Sequence, residues 1–381
     1  VKVYAGEEYE TRNSIATARR YFEELVAAAR VQALGNVVLE TVGGLSVVVV
    51  IVAGGFEVMK GRLSVPELVA VLVAIRAAHG PLNNVFSRFM EVQRNWASFD
   101  RLRELLQTEP ELRDKPDAVP LSGPIGSIRF ENVSFGYDAR SNVLTGVSFE
   151  VRAGQHIGVV GPSGAGKTTL VSLVARFYDP VEGRILLNGR DLRDYRLADV
   201  HRQMALVIQD LFVFGTSVRE NIRYGSVEAS AADVERVAVA AEIHEDIERL
   251  HEGYDTVLGV GGQLLSAGQI QRVNVARALL KNASVIILDE ATSNLDSVSE
   301  TKIQVALERL TKGRTTFTIA HRLSTLRNAD LILVMEHGRC VAIGPHDTLV
   351  RTCPLYRDLW EAQQVSTPSP PSVRLAVSGA S

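Results

Sequence analysis

Hydrophobic and polar positions fall into distinct regimes along the chain. Residues 7–33 are charged throughout and hold no Pro or Gly, while Ile15, Phe22 and Val26 recur at helical spacing. That pattern predicts a long helix with one apolar stripe, reaching roughly 40 Å at ~1.5 Å per residue. Two apolar segments follow, at about 36–57 and 65–86. The first carries Glu40 near its start and then a sixteen-residue core, residues 41–56, without charge. The second contains Arg76 and His79 and meets the Gly80–Pro81 pair, and a polar turn, Glu57 to Ser64, separates the two. A spanning helix takes ~20 mostly apolar residues. Both segments just reach that length, so the pattern is compatible with a membrane hairpin or with paired buried helices of a soluble bundle. The Gly- and Val-rich first segment leans toward membrane. Arg19, Arg20 and Arg30 precede the hairpin and Arg88, Arg94, Arg101 and Arg103 follow it, against only Lys60 and Arg62 in the turn. That bias puts both ends inside. An Arg at a bilayer centre costs ~2.5–3.5 kcal/mol or more, so Arg76 either snorkels, pairs between helices or lines a substrate path.

Residues 109–126 hold four prolines and mixed charge and read as a linker at a domain boundary. Beyond them, short β-branched runs alternate with helical stretches, the pattern of an α/β domain with a largely parallel sheet. From Ser366 the chain is Ser/Pro-rich without apolar period and reads as a disordered tail. The domains expected are therefore 1–105, helical with two spans; 106–126, a linker; 127–363, α/β; and 364–381, the tail.

Composition narrows the functional classes. A net charge of −3 and a pI of about 6.3 do not favour a phosphate-backbone binder, so no nucleic-acid partner is expected. Two cysteines, Cys340 and Cys353, cannot build a metal cage and fit a reducing compartment. The chain opens on Val, as a processed chain or a piece of a longer one would, and no secretory h-region opens it.

The strongest chemical signal is Gly161-Pro162-Ser163-Gly164-Ala165-Gly166-Lys167-Thr168. It follows a β-type run, His156 to Val160, and precedes a helix-like stretch that begins at Thr169. This is the strand–loop–helix context of a phosphate-binding P-loop. Its glycines let successive N–H groups converge on one concavity, and the helix N-terminus adds its positive dipole end. Lys167 supplies a point charge for the β/γ-phosphates and Thr168 a hydroxyl for Mg²⁺. Downstream, Val285-Ile-Ile-Leu-Asp289-Glu290 reads as a strand buried on both faces with two acids at its carboxyl end. Asp289 suits a Mg²⁺ shell, and Glu290 suits the attacking water.

Leu265-Ser266-Ala267-Gly268-Gln269, followed by Gln271-Arg272 and Ala276-Arg277-Ala278, resembles the signature sequence of the ATP-binding cassette (ABC) ATPases. Ala267 stands where Gly is commonest. The resemblance assigns roles in order along the chain. Tyr137 would stack on adenine, and Gln209 would be the Q-loop residue touching Mg²⁺ and the membrane domain. Ser293-Asn-Leu-Asp296 would be the interface D-loop, and His321 the switch histidine at the γ-phosphate. Upstream, the opening residues, the Gly80–Pro81 pair and the run at 97–106 look like the last third of an exporter's membrane domain. That implies four further spans before Val1.

The resemblance thus implies an α/β P-loop NTPase, with an ABC-type RecA-like core and a helical subdomain at about 212–282, preceded by a transmembrane hairpin. It implies an ATPase using ATP and Mg²⁺ and energising export across the plasma (inner) membrane, with the nucleotide-binding domain cytoplasmic. Catalytic roles go to Glu290, His321, Gln209 and Lys167. The nucleotide would be held by Tyr137, by residues 161–169 including Thr169, and by Ser266, Gly268 and Gln269 of a second half-transporter, in a homo- or heterodimer. Mg²⁺ would be held by Thr168, Gln209 and Asp289. Membrane lipid and an exported substrate complete the partners, and the alternative is an ATP-binding module that dimerises without transporting. Two positions depart from the family pattern: Gly259-Val-Gly-Gly262 replaces a charged turn before the signature, and Ile270 replaces an Arg after it.

Overall fold

The computed structural model describes residues 6–108, 110, 112–138, 141–208, 212–259, 264–289, 297–320 and 323–365. The chain divides into two units, Val1–Pro110 and Glu111–Ser381.

The first unit is a helical hairpin. The charged stretch and the first apolar segment fuse into one 53-residue helix, α1 (Glu7–Met59), because no proline interrupts them. Gly61, at φ +70°, lets the chain reverse. Ser64 and Glu67 then form a capping box, the Ser64 N–H donating to the Glu67 carboxylate at 2.8 Å, and open α2 (Val65–Gln107). This helix runs on through Pro81, since a proline removes one backbone hydrogen bond from the ladder and the rest of a 43-residue helix remains to carry it. The two helices approach closely at Gly54, where an added Cβ would overlap Leu68 Cδ1; small residues permit such contacts. Among the described residues, α1 is the helix long and apolar enough to cross a membrane, with a stretch of mean hydropathy 2.3. Its Val48, Val49, Val52 and Phe56 are all more than half exposed, an apolar surface that water would penalise.

The second unit contains two sheets. β1 (Ser127–Phe135), β2 (Leu144–Arg152), β4 (Glu182–Leu187) and β5 (Arg190–Asp191) form an antiparallel sheet in the order β2-β1-β4-β5. β3 (His156–Val160), β6 (Met204–Val207), β7 (Val285–Asp289), β8 (Thr315–Ile319), β9 (Leu331–Glu336) and β10 (Arg339–Gly344) form the other, ordered β10-β9-β3-β8-β7-β6. In that sheet every adjacent pair is parallel except β10 with β9. The sequence reading of a largely parallel sheet therefore describes the six-stranded sheet alone. From Gly146 to Arg152, β2 alternates exposed and buried positions, as a strand with one wet face does. β7 is buried on both faces: Val285 and Ile287 enter one core, Ile286 and Leu288 another.

Helices cover both faces. α3 (Lys167–Val174) packs Leu170, Leu173 and Val174 into the first core, between the sheets. α5 (Val218–Arg223), α6 (Ala231–Ala240), α7 (His244–Glu248), α8 (Ala267–Lys281) and α9 (Ser297–Thr311) build the second core. The short α4 (Leu197–Arg202) precedes β6. α10 (His346–Thr352) and α11 (Pro354–Val365) close a third core with Val160, Leu323 and Val334. There His346 Nδ1 and the Tyr356 hydroxyl lie 2.8 Å apart, and burial pushes Tyr356 up to about 12, which keeps it neutral.

Much of the proline-rich stretch is docked on this unit. Leu121 and Ile125 are buried, the Leu197 N–H donates to Asp114 at 2.7 Å, and Lys115 pairs with Asp194 at 2.6 Å. The prolines lack donors, and side-chain oxygens accept from the neighbouring amides: Leu121 N–H to Asp199, and Ile125 N–H to Ser284.

Candidate functional site

The phosphate loop grows from the sheet's central strands. β3 lies between β9 and β8, and its last four residues are buried. Gly161 follows at φ +149°, and a Cβ there would overlap the Met335 carbonyl oxygen of β9. Gly164 and Gly166 also have positive φ, +78° and +95°, conformations that cost other residues free energy. A side chain at Gly166 would also press on Leu144, its Cβ lying 2.7 Å from Leu144 Cδ2. Ala165 is buried beneath the loop, and its N–H donates to the Pro162 carbonyl at 3.2 Å.

Lys167 opens α3, and its ammonium donates to the carbonyls of Gly161 and Pro162, each at 2.9 Å. The amine therefore lies over the loop it would share with a phosphate. Thr168 is exposed and Thr169 buried. The Thr169 hydroxyl lies 3.1 Å from the Tyr137 hydroxyl, just past the end of β1. The ring of Tyr137 stands edge-on to Phe135 and Tyr178, with centroids 5.1 and 5.2 Å away, yet it remains 57% exposed. An open aromatic face beside the P-loop is thus present. Tyr178, which buttresses it, carries no motif and was not legible in the sequence.

Asp289 ends β7 in register with Ile319 of β8, which pairs in turn with Val159 of β3. Loop 161–166 and Asp289 therefore emerge on one carboxyl edge of a parallel sheet, where open α/β sheets bind ligands. The hydroxyl of Thr168 and the carboxylate of Asp289 are hard oxygen donors. With substrate phosphates and water they match what Mg²⁺ takes.

Ser266 caps α8. Its hydroxyl accepts from the Gln269 N–H at 3.3 Å, and its own N–H donates to Gln269 Oε1 at 2.9 Å. Ser266 and Ala267 are exposed, while Gly268 and Ile270 are buried. The helix belongs to the second core and the P-loop to the first. A cavity of about 240 Å³ adjoins the P-loop, lined by Val160, Gly161, Pro162, Ser163, Lys167, Ala320, Leu323, Leu359 and Gln363. No signature residue is among these described residues. Sequence reasoning missed the contribution of α11, since nothing in residue spacing ties position 363 to the loop. Gln209, Glu290, Ser293–Asp296 and His321 lie outside the described residues, as do 260–263.

A parallel sheet with a glycine-built phosphate loop, a lysine folded over it and a carboxylate on the same edge defines a P-loop nucleotide-binding domain. Residues 144–293 match the ABC transporter family profile. Over 326 residues the chain is 43% identical to YfiC of Bacillus subtilis, an uncharacterized ABC transporter ATP-binding protein, covering 86% of this chain and 54% of that one. It is 39% identical to an ATP-dependent lipid A-core flippase of Syntrophus aciditrophicus, covering 95% of this chain and 60% of that one. Among solved structures, a bacterial Atm1-family ABC exporter with ATP bound superposes with a TM-score of 0.85 at 36% identity, over 97% of this chain and 64% of that chain. The chain belongs to the ABC transporter family. It spans 54–63% of the length of these curated relatives and others like them.

Proposed function

We propose that the chain is the ATP-binding and ATP-hydrolysing part of an ABC exporter, lying in the plasma (inner) membrane through the hairpin with the second unit on the cytoplasmic side. The loop at 161–168, with its positive-φ glycines and the Lys167 ammonium, carries this reading. The names of the relatives support it, two of them being a flippase and an exporter. In this reading the loop amides and Lys167 hold the β- and γ-phosphates, and the Tyr137 ring takes the adenine. Thr168, Asp289 and Gln209 would hold Mg²⁺, which when bound would neutralise phosphate charge. Glu290 orients and deprotonates the attacking water. His321 touches the γ-phosphate, and the Ser266, Gly268 and Gln269 positions of a second half-transporter close the site from across the interface. Hydrolysis would then release the two halves and rock the helices between inward- and outward-facing states.

The test is equilibrium binding of a fluorescent ATP analogue, with turnover measured alongside. A hydrogen bond to a charged group is worth about 1.5–3 kcal/mol, so Lys167→Ala is expected to weaken binding roughly 10- to 150-fold. Glu290→Gln should keep binding and lose turnover. Unchanged affinity in the lysine variant, or undiminished turnover in the glutamine variant, refutes the assignment.

A further inference from the structure

The cavity beside the P-loop has a wall that the nucleotide motifs do not supply. Leu359 and Gln363 stand four residues apart on α11 and both line it, together with Gly161, Pro162, Ser163 and Lys167 on one side and Ala320 and Leu323 on the other. Residues at that spacing share a helix face. The Gln363 Oε1 accepts a hydrogen bond from the Leu323 N–H at 2.7 Å, across forty positions of sequence. Leu323 lies four positions past the end of β8 and packs in the same core as Val160, the residue immediately before the phosphate loop. α11 is itself anchored: Tyr356 is fully buried against His346, and the Trp360 ring lies 4.5 Å from the His346 ring. The amide oxygen of Gln363 is thus delivered by a fixed helix to a backbone donor at the edge of the phosphate cavity.

We propose that Gln363 is a positioning residue for the phosphate end of the site, acting through the backbone of Leu323. A buried amide hydrogen left without its acceptor costs free energy and loosens the chain that bears it. In this protein that chain is the backbone at Leu323, four positions past the end of β8 at Ile319, and the resemblance sets His321 two positions before it. The role needs an acceptor at position 363, not an amide. Glu supplies one, whereas Leu keeps the length and apolar body without it. The proposal rests on the ATP-hydrolysis reading, and the test separates the two.

The full chain is prepared in detergent as wild type, Gln363→Leu and Gln363→Glu. Hydrogen exchange is followed at the Leu323 amide, with MgATP affinity, KM, kcat and the unfolding temperature. In the leucine variant, exchange at Leu323 should accelerate at least tenfold and kcat fall about tenfold, with affinity and KM within twofold of wild type. The glutamate variant should restore slow exchange and most of kcat. Exchange unchanged by Gln363→Leu overturns the proposal, as does faster exchange with kcat intact or a lowered unfolding temperature alone. A wild-type chain that turns over no ATP sinks the hydrolysis reading instead, and the exchange comparison still decides whether Gln363 holds this backbone.

Discussion

Gly161 and Gly164 belong to one loop and both have positive φ, yet alanine should affect them very differently. At Gly164 an added Cβ meets open space, so the cost is the conformational one, about 1–2 kcal/mol. At Gly161 the conformational cost is of order 1–3 kcal/mol, and the methyl would also overlap the Met335 carbonyl oxygen. That oxygen is backbone in β9, where Met335 pairs in register with Cys340 of β10, and it cannot swing aside as a side-chain tip would. Overpacking of this kind adds about 1–3 kcal/mol. A domain of about this size loses roughly 2–4 °C in Tm per kcal/mol, so the overlap alone should set Gly161→Ala roughly 2–12 °C below Gly164→Ala. The chain has two tryptophans, Trp96 and Trp360, and only Trp360 lies in the second unit. In a Trp96→Phe background its fluorescence reports that unit's unfolding, and the same samples give nucleotide affinity. A Gly161→Ala protein that melts at or above the Gly164→Ala protein refutes the argument that the loop's entry is pinned to β9.

Ser266→Ala removes the cap of α8 and should cost about 1 kcal/mol of stability. If the helix start also meets a nucleotide held by a second copy, ATP-driven dimerisation followed by sedimentation should weaken while nucleotide affinity at low protein concentration stays put. Equal dimerisation in both proteins would contradict the cross-interface assignment. His156 and His201 are both held below the usual imidazole range, chiefly by burial; nearby Asp330 opposes the shift in His156, and the backbone carbonyls of Ala175 and Arg176 oppose it in His201. In the folded state both rings stay neutral where the unfolded chain begins to take protons. The stability they permit is therefore present above the unfolded value near 6.5 and is lost as pH falls below it. Urea midpoints at pH 7.5 and 5.5 should show the loss, and His156→Gln should reduce it; a midpoint rising on acidification would reverse the sign.

The P-loop was legible because its requirements are local. Glycines at 161, 164 and 166, a lysine and a hydroxyl must follow a strand in fixed order, and the structure places them at the end of β3. The four buried residues before Asp289 announced a strand covered on both faces for a similar reason. The antiparallel sheet was harder to read, because β1 pairs with β2 and β4 across register shifts that leave no fixed spacing. The docking of residues 112–126 was hidden by composition: prolines suggest a free linker, while the acceptors that hold the intervening amides, Asp199 and Ser284, lie about 80 and 160 positions away. Gln363 is the extreme case, a polar residue on an amphipathic helix whose meaning depends entirely on which backbone donor the third core brings to it.

One electrostatic regularity links the two halves of the proposed site. A helix N-terminus carries about half a positive charge, and acidic residues in the first turn usually offset it. Eight of the eleven helices among the described residues have such an acid, for example Glu220 in α5, Asp233 in α6 and Asp347 in α10. Only α3, α8 and α11 lack one. α11 begins on Pro354, which removes one of the orphan donors outright. That leaves α3, behind the phosphate loop, and α8, behind Ser266, as the helices whose starts keep their N–H groups and their positive end without an internal counter-charge. At α8 the capping box satisfies only the amides of Ser266 and Gln269. Ala267 is exposed, so its methyl in place of the commoner glycine points into solvent and costs the fold little. An anion at such a start gains about 0.3–1 kcal/mol from the dipole alone. Because the two helices pack in separate cores, one triphosphate gripped by α3 of one chain and met by α8 of another would neutralise both.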